Sequence, residues 1–583
     1  MIPVRVWFAA AMFCAACAGG CGAPAESVSL ADFIEENRVG NDATLAFRRA
    51  VEYCRQHRVR ELVVPAGTYD IYPDLAFEKY AYVTNNSAGL KRLLFDLDGV
   101  GDFTLRGEGA HLVLHGYVSA FSVAHCTNVT IRGFTVDYAR TFHSEGTITG
   151  VGENYLDLRF SGAYPYRIVN GDLHFYDEAG AEYPVSHLLE FDAVRREPAF
   201  HARDYWLRNK TVPAEQLPNG DVRIFHPGLT GTVGNILVLG PAHRMCPGVA
   251  IDRSRGVLLE DLTLYHCGGM GVVAQMSSDI ELNGVRIVTA PESDRVISIT
   301  ADATHFTHCD GYVRMDGCEF FNQIDDATNI HGMYGIVKQV AGPSRLRVFF
   351  PHEQQYGLDV LEPGVEAEIL AQRSLITHTT GRITSMERLN MEWYEVTFDG
   401  DLSQLAVGDL ITRTCYPEVL IRNCRMGNNR ARGLLLGSRK KTVVEDCYFH
   451  TPGAAILFEG DGYYWYEQAG VRDVEIRNCV FDDCLYGAAT WGDAVIATGN
   501  GPRHDRERSR YHRNIRVEGN TFRMSDPRIV NLYCVDGFLF TRDNVMEYGG
   551  DYPASSGEIP GFITRNCDNI VIEKEQPTNN LKL

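Results

Sequence analysis

Apolar residues along this chain recur in short alternating runs that share one grammar. NVTIRGFTV, GVLLEDLTL, DIELNGVRI, YVRMDGCEF, EVLIRNCRM, TVVEDCYF, DVEIRNCVF and NIRVEGNTF each place an apolar side chain at every second position. That alternation is the mark of a strand with one buried face. The last apolar residue of each run gives an anchor column: Val136, Leu264, Ile287, Phe320, Met426, Phe449, Phe481 and Phe522. Three residues before the anchors stand Gly133, Asp261, Gly284, Gly317, Asn423, Asp446, Asn478 and Gly519. Only Gly, Asn and Asp occur there, the residues that tolerate a left-handed backbone, so a sharp one-residue bend is expected in every repeat.

Anchors at 264 and 287, and at 426 and 449, are 23 residues apart. A strand–bend–strand unit of that length stacks as a right-handed parallel β-helix, each coil about 4.8 Å from the next. Two anchor gaps, Val136 to Leu264 and Phe320 to Met426, are far too long for a coil. Inside them GTITGVGENYLDLRF and RITSMERLNMEWYEVTF alternate like antiparallel strands with Gly, Asn and Asp turns. The expected organisation is all-β. An export signal occupies 1–25, and 26–142 holds an N-terminal cap with the first coils. An inserted β domain follows at 143–245, coils with candidate catalytic aspartates at 246–334, a second inserted β domain at 335–413, and C-terminal coils at 414–583. The cap is an amphipathic helix, DATLAFRRAVEYCRQH, with Leu45, Phe47, Ala50, Val51 and Cys54 near one face.

Composition changes this picture in a few places. The chain has 583 residues and a formal charge of −20, which argues against nucleic acid and anionic membranes as partners. Arg5 followed by the apolar run Val6 to Ala18 reads as an export signal, too short to span a membrane. Two ends are open: cleavage after Ala23-Pro24-Ala25, or lipidation of Cys21 in Ala18-Gly19-Gly20-Cys21. No later stretch has the apolar length of a transmembrane helix. The expected location is outside the cytoplasm of a Gram-negative cell, periplasmic or anchored by lipid to the outer membrane. Of 16 cysteines, Cys318, Cys424, Cys447 and Cys479 fall in one inward column two residues before the anchors, which favours stacked buried thiols over disulfides.

The densest polar segment is ISITADATHFTHCDGYVRMDGCEFFNQIDDATNIHG. Asp302 precedes Asp325 by 23 residues, one coil, and Asp326 adds a third carboxyl. Carboxyls so close repel one another, which keeps one protonated beside an ionised partner. That is the requirement for splitting a glycosidic bond. An aspartate ladder bonding turn amides, or a calcium site, is the bland alternative. His305 and His308 are too few to claim a metal, and no metal or cofactor is expected. Counting back from the anchors puts Gln275, His331 and Glu459 near one column of the outer face. Tyr464 and Trp465 in GDGYYWYEQAG, and Trp491 in TWGDAV, offer flat apolar surfaces to a sugar ring or to an inserted domain. Arg430 and Arg432 in NNRARG could bond sugar hydroxyls or be structural.

ADATHF, IDDATNIHG and ILFEGDGYYWYEQAGVRDVEIRNC together resemble glycoside hydrolase family 110, exo-acting α-1,3-galactosidases of blood-group-B-type glycans. FNQIDDATNIHG is more distantly similar to polygalacturonase-type β-helix hydrolases. The resemblance implies galactose-terminated glycans as substrates and an inverting reaction without metal. It implies Asp325 as general acid, with Asp302 and Asp326 positioning and deprotonating a water. Inversion also predicts that Asp302 or Asp326 lies about 6.5–9.5 Å from Asp325. Two competing classes share the fold: a polysaccharide lyase using Arg430 or Arg432 as base, and a glycan-binding β-helix without catalysis. The inserted domains are candidate contacts of a homodimer.

Overall fold

The structure is a computed structural model that describes residues 26–573 apart from 208, 469, 500 and 554–559. The expected signal and Cys21 lie outside the described residues. The body is a parallel β-helix built on a 22-stranded and a 13-stranded sheet.

In the larger sheet the alternating runs stack in register. Leu264 pairs with Val136 and Ile287, Ile287 with Phe320, and Phe320 with Met426. Met426 then pairs with Phe449, Phe449 with Phe481, and Phe481 with Phe522. Each anchor is fully buried, so one apolar column runs along the axis and excludes water from it. The rings of Phe449, Phe481 and Phe522 stack at centroid spacings of 5.0 and 4.7 Å. All eight predicted bends have positive φ, from 48° at Asp261 to 75° at Gly133. The thiols of Cys318, Cys424, Cys447 and Cys479 are free and buried. Asn520 continues their column, accepting from Cys479 N–H and bonding Asn544 on the next coil.

The coil stack extends beyond the eight runs. Gly101–Leu114 pairs beside Thr127–Tyr138, with a register shift between Arg106 and Ala110 that hides the repeat spacing. Val535–Phe540 and Asp568–Ile572 add coils at the other end. Helices α1 (Ala31–Asn37) and α2 (Thr44–His57) cover the N-terminal end of the core. Helix α2 buries Phe47 against Tyr69 and Phe95. Ala46 is buried and Leu45 only half-buried, a small rotation from the expected face.

Two antiparallel units interrupt the coils. An eight-stranded sheet is built from strands between Ser144 and Pro241, and a closed six-stranded barrel spans Gly335 to Arg413. Both emerge beside the 13-stranded sheet, whose outer face carries the site. Its central strands are β1 (Val249–Asp252), β2 (Val272–Gln275), β3 (Thr304–Thr307), β4 (Thr328–Met333), β5 (Leu434–Leu436) and β6 (Ile456–Phe458), paired parallel in that order.

Candidate active site

The polypeptide between the larger sheet and β3 runs from 288 to 303 without a strand, and Asp302 ends it. Asp325 and Asp326 end the corresponding turn before β4. Thr304 pairs with Thr328, and Ala303 N–H bonds the Asp326 carbonyl at 2.9 Å. The in-register neighbour of Asp302 is therefore Asp326, 24 residues on, rather than Asp325 as the 23-residue period predicts. This turn is one residue longer than the step from β1 to β2. The three side chains still converge, with one carboxylate oxygen from each within 4.8 Å of the others. That is closer than the spacing expected for an inverting pair, because adjacent coils and adjacent residues leave no room for more.

Each carboxylate is held by its own partner. Arg432 grips Asp326 through Nε and Nη2, both at 2.9 Å, while its backbone N–H adds a bond of 3.0 Å. Arg244 Nη2 donates to Asp325 Oδ2 at 2.7 Å, and Arg430 Nη1 lies 3.6 Å from Oδ1. His305 Nδ1 bonds Asp302 Oδ2 at 2.7 Å. Among the described residues, Asp302 Oδ1 has no hydrogen bond and Asp325 Oδ1 has only the longer ion pair with Arg430. The side chain of Asp325 is the most open of the three, 13% exposed against 5% for Asp302 and 4% for Asp326.

These environments split the three acids. Burial, with the charge of Asp325 beside it, pushes Asp302 up to about 8. Burial lifts Asp326 to about 7 against the pull of Arg432. Burial also opposes ionisation of Asp325, but Arg430, Arg244 and Arg432 together hold it below the usual carboxylate range. Both oxygens of Asp326 accept from one guanidinium, the geometry of an ion pair. Asp302 is therefore the carboxyl most disposed to keep a proton, whereas the resemblance makes Asp325 the acid. The same three carboxylates are close enough to chelate a cation. Three guanidiniums already balance their charge and both Asp326 oxygens are occupied, so the set fits a hard cation poorly.

Arg244 and Arg430, both beside Asp325, line a cavity of about 710 Å³ together with His187, Trp206, Tyr464 and Trp465, while the three aspartates lie outside its lining. Asp461 orders the aromatic loop by accepting from Tyr463 N–H and Trp465 N–H, each at 2.8 Å. Trp465 rests on His352 with ring centroids 4.7 Å apart. Of the four loop aromatics, Tyr464 and Trp465 line the cavity; Tyr463 packs against Arg503 and His504. Arg430 lines it too, but is 4% exposed. Its Nε bonds Asp204 at 2.8 Å and its plane lies between Trp206 and Trp491. So held, it is no free base, which removes the support it gave to a lyase. Trp491 Nε1 donates to the same Asp204 at 3.0 Å. This Arg–Asp–Trp cluster ties the first inserted unit to the coils. Beyond it, Trp491, Glu459 and Arg432 line a separate cavity of about 300 Å³. Trp491 and Glu459 thus stand across the wall from Tyr464 and Trp465.

The other side is closed by the segment Thr84–Asn86. Thr84 N–H bonds Gln275 Oε1 on β2 at 2.8 Å, and Asn85 Nδ2 bonds Glu467 Oε1 at 2.9 Å. His331 does not reach the groove as the column count predicts. It is 5% exposed, its Nδ1 is 2.6 Å from the Gly332 carbonyl, and its Nε2 is 2.8 Å from His305 Nε2. Arg244, Glu467, Asn85, Asp204 and Trp206 are the site residues that sequence reasoning missed. Glu467 sits within the EQAG motif and was detectable there; the others lie in segments without repeat spacing.

The GLAA-B beta-barrel domain I family matches residues 144–237, and the GLAA-B beta-barrel domain II family matches 345–411. The chain is 32% identical to a protein of Shewanella woodyi named alpha-1,3-galactosidase A, covering 96% of this chain and 92% of that one. It is 30% identical to alpha-1,3-galactosidase B of Bacteroides thetaiotaomicron, covering 95% and 91%. Likeness to solved structures is slight: a family 28 exopolygalacturonase of Yersinia enterocolitica is 12% identical with a TM-score of 0.37, covering 95% of this chain and 79% of that one. By its full-length similarity to these relatives, and in keeping with its sequence motifs, the chain belongs to the α-1,3-galactosidase family of glycoside hydrolases.

Proposed function

We propose that the protein is an exo-acting, inverting hydrolase that removes terminal α-1,3-linked galactose from glycans such as those of blood-group-B type. The observation that carries this reading is the three-carboxylate cluster, joined through Arg244 and Arg430 to a cavity lined by aromatic rings. The names of the full-length relatives supply the linkage and the sugar.

Asp325, the most open carboxyl, faces the leaving oxygen; ionised at rest, it takes a proton from water in the groove before the sugar seats and passes that proton to the leaving oxygen. Asp302 Oδ1 and the remaining acceptor position on Asp326 Oδ2 hold the attacking water. Two carboxylate oxygens within 4.8 Å are bridged by one water at about 2.7 Å from each, so close spacing suits a clamped water. Asp302 takes the water's proton as oxygen attacks the anomeric carbon, and the glycosidic bond breaks with its electrons leaving on the oxygen that Asp325 protonates. Retention, through a bond between the sugar and an aspartate, is a second reading that the short spacing alone favours.

The test is a panel of galactosides linked α-1,3, α-1,4 and α-1,6, with released galactose measured. Release from the α-1,3 compounds alone is expected. Release confined to α-1,4 or α-1,6 compounds would overturn the linkage, and no release from any would overturn the function.

A further inference from the structure

Burial disposes Asp302 to keep a proton, yet it must be ionised to act as base. A buried chain leads away from it. Asp302 Oδ2 lies 2.7 Å from His305 Nδ1, His305 Nε2 lies 2.8 Å from His331 Nε2, and His331 Nε2 lies 3.7 Å from Glu467 Oε1. His305 is fully buried, His331 5% exposed and Glu467 6%. Asn85 and Asn329 donate to the two Glu467 oxygens at 2.9 and 3.2 Å. Burial alone would disfavour the Glu467 carboxylate, but His331, His305 and these amides hold it below the usual range.

Hydrogen-bond roles restrict the protons. The Gly332 carbonyl only accepts, so His331 Nδ1, 2.6 Å away, carries a hydrogen. Between the two Nε2 atoms one donates and the other accepts. Two arrangements satisfy these contacts with the same number of protons, the Thr307 hydroxyl, 3.3 Å from His331 Nε2, turning to suit either. In the first, protonated Asp302 donates to His305 Nδ1, and His305 Nε2–H donates to His331. In the second, Asp302 is a carboxylate that accepts from His305 Nδ1–H, and His331 donates from Nε2 as an imidazolium facing Glu467.

We propose that His305, His331 and Glu467 form an internal proton relay that sets the charge of Asp302. The proton leaves Asp302 for His305 Nδ1 as the His305 Nε2 proton passes to His331 Nε2. Glu467 stabilises the imidazolium that results. Asp302 is thereby ionised without losing a proton to solvent, and the proton it then takes from the attacking water stays on its carboxyl until the product leaves. Other charged groups facing the chain are Arg244, Arg432, Asp325 and Asp326 around Asp302, and His352 near Glu467. His308 accepts from Met333 N–H and faces Arg413, outside the chain. None of the three relay residues touches the reacting atoms; they act through Asp302.

This inference rests on Asp302 as base, and the test separates the two. In Glu467→Gln the imidazolium loses its counter-charge, so Asp302 is ionised only by releasing a proton to water. The expected result is a kcat at least 10-fold lower at pH 6, with KM within about 2-fold, recovering as pH rises past 8. Glu467→Asp, which keeps the charge, should retain the wild-type pH profile at reduced kcat. Should Glu467→Gln not fold, His331→Gln breaks the chain at its middle and carries the same alkaline shift. A uniform loss across pH, or an unchanged profile, in the variant that folds would overturn the relay alone. A wild-type enzyme that releases no galactose would overturn the underlying reading instead.

Discussion

Replacing Arg432 with Met puts the electrostatic account under direct strain. The guanidinium makes two bonds of 2.9 Å to Asp326, a carboxylate only 3% exposed. Two unit charges about 4 Å apart interact by about 4 kcal/mol at an effective dielectric of about 20. Stripping one partner from a buried pair costs about 3–5 kcal/mol, because the other charge is left without compensation. Asp326 escapes part of that cost by taking a proton, so the loss depends on pH. Its folded pKa, already raised to about 7, rises further in the variant. A raised carboxyl contributes stability below its unfolded value, about 3.9, and loses it as pH climbs through the folded value. At pH 5 Asp326 is largely protonated in both proteins, and the variant loses about 1 kcal/mol of packing and hydrogen bonding. At pH 9 the full 3–5 kcal/mol appears. For a chain of this size the unfolding entropy is on the order of 1 kcal/mol per kelvin. Thermal unfolding followed by circular dichroism should then show a Tm about 3–5 °C below wild type at pH 9 and about 1 °C below at pH 5. An equal drop at both pH values would refute the reasoning.

The acid and base roles separate by leaving group. Asp325→Asn should lose about 10²–10⁴-fold on an α-1,3 glycan but far less on α-galactosyl fluoride, which departs without protonation; Asp302→Asn should lose on both, as initial rates will tell. Asp302→Asn should also unfold at a higher temperature than wild type at pH 9 and at a similar one near pH 4. It removes a carboxyl whose folded pKa is pushed up to about 8 and whose stabilising contribution wanes as pH rises toward that value. Trp465→Ala, at the cavity rim, should raise KM about 3- to 10-fold on oligosaccharides with little change in kcat, the signature of binding shared by ground and transition states.

Much of the fold is legible in the sequence because the β-helix repeats one physical problem. Every coil buries an alternating strand and turns at a left-handed residue, so Asp261, Asn423 and Asn478 announce their φ by residue type alone. The first and last coils escaped where a register shift after Arg106 or a bare run such as NIVIE hid the spacing. The aspartate trio was visible for the same periodic reason, although its true register joins Asp302 to Asp326. What surrounds the trio was not visible. Arg244, Asp204, Trp206 and Asn85 come from inserted or N-terminal segments far away in sequence, and only folding brings them to the groove. His331 illustrates the converse. Its column was counted correctly to the outer face, but the Gly332 carbonyl and His305 turn its ring into the protein.

The most direct test of the central claim is the anomer of galactose released first. Proton NMR during early hydrolysis of a terminal α-1,3-galactoside should show β-galactose appearing before mutarotation supplies the α form. α-Galactose as the first product would contradict a clamped water attacking opposite the leaving group.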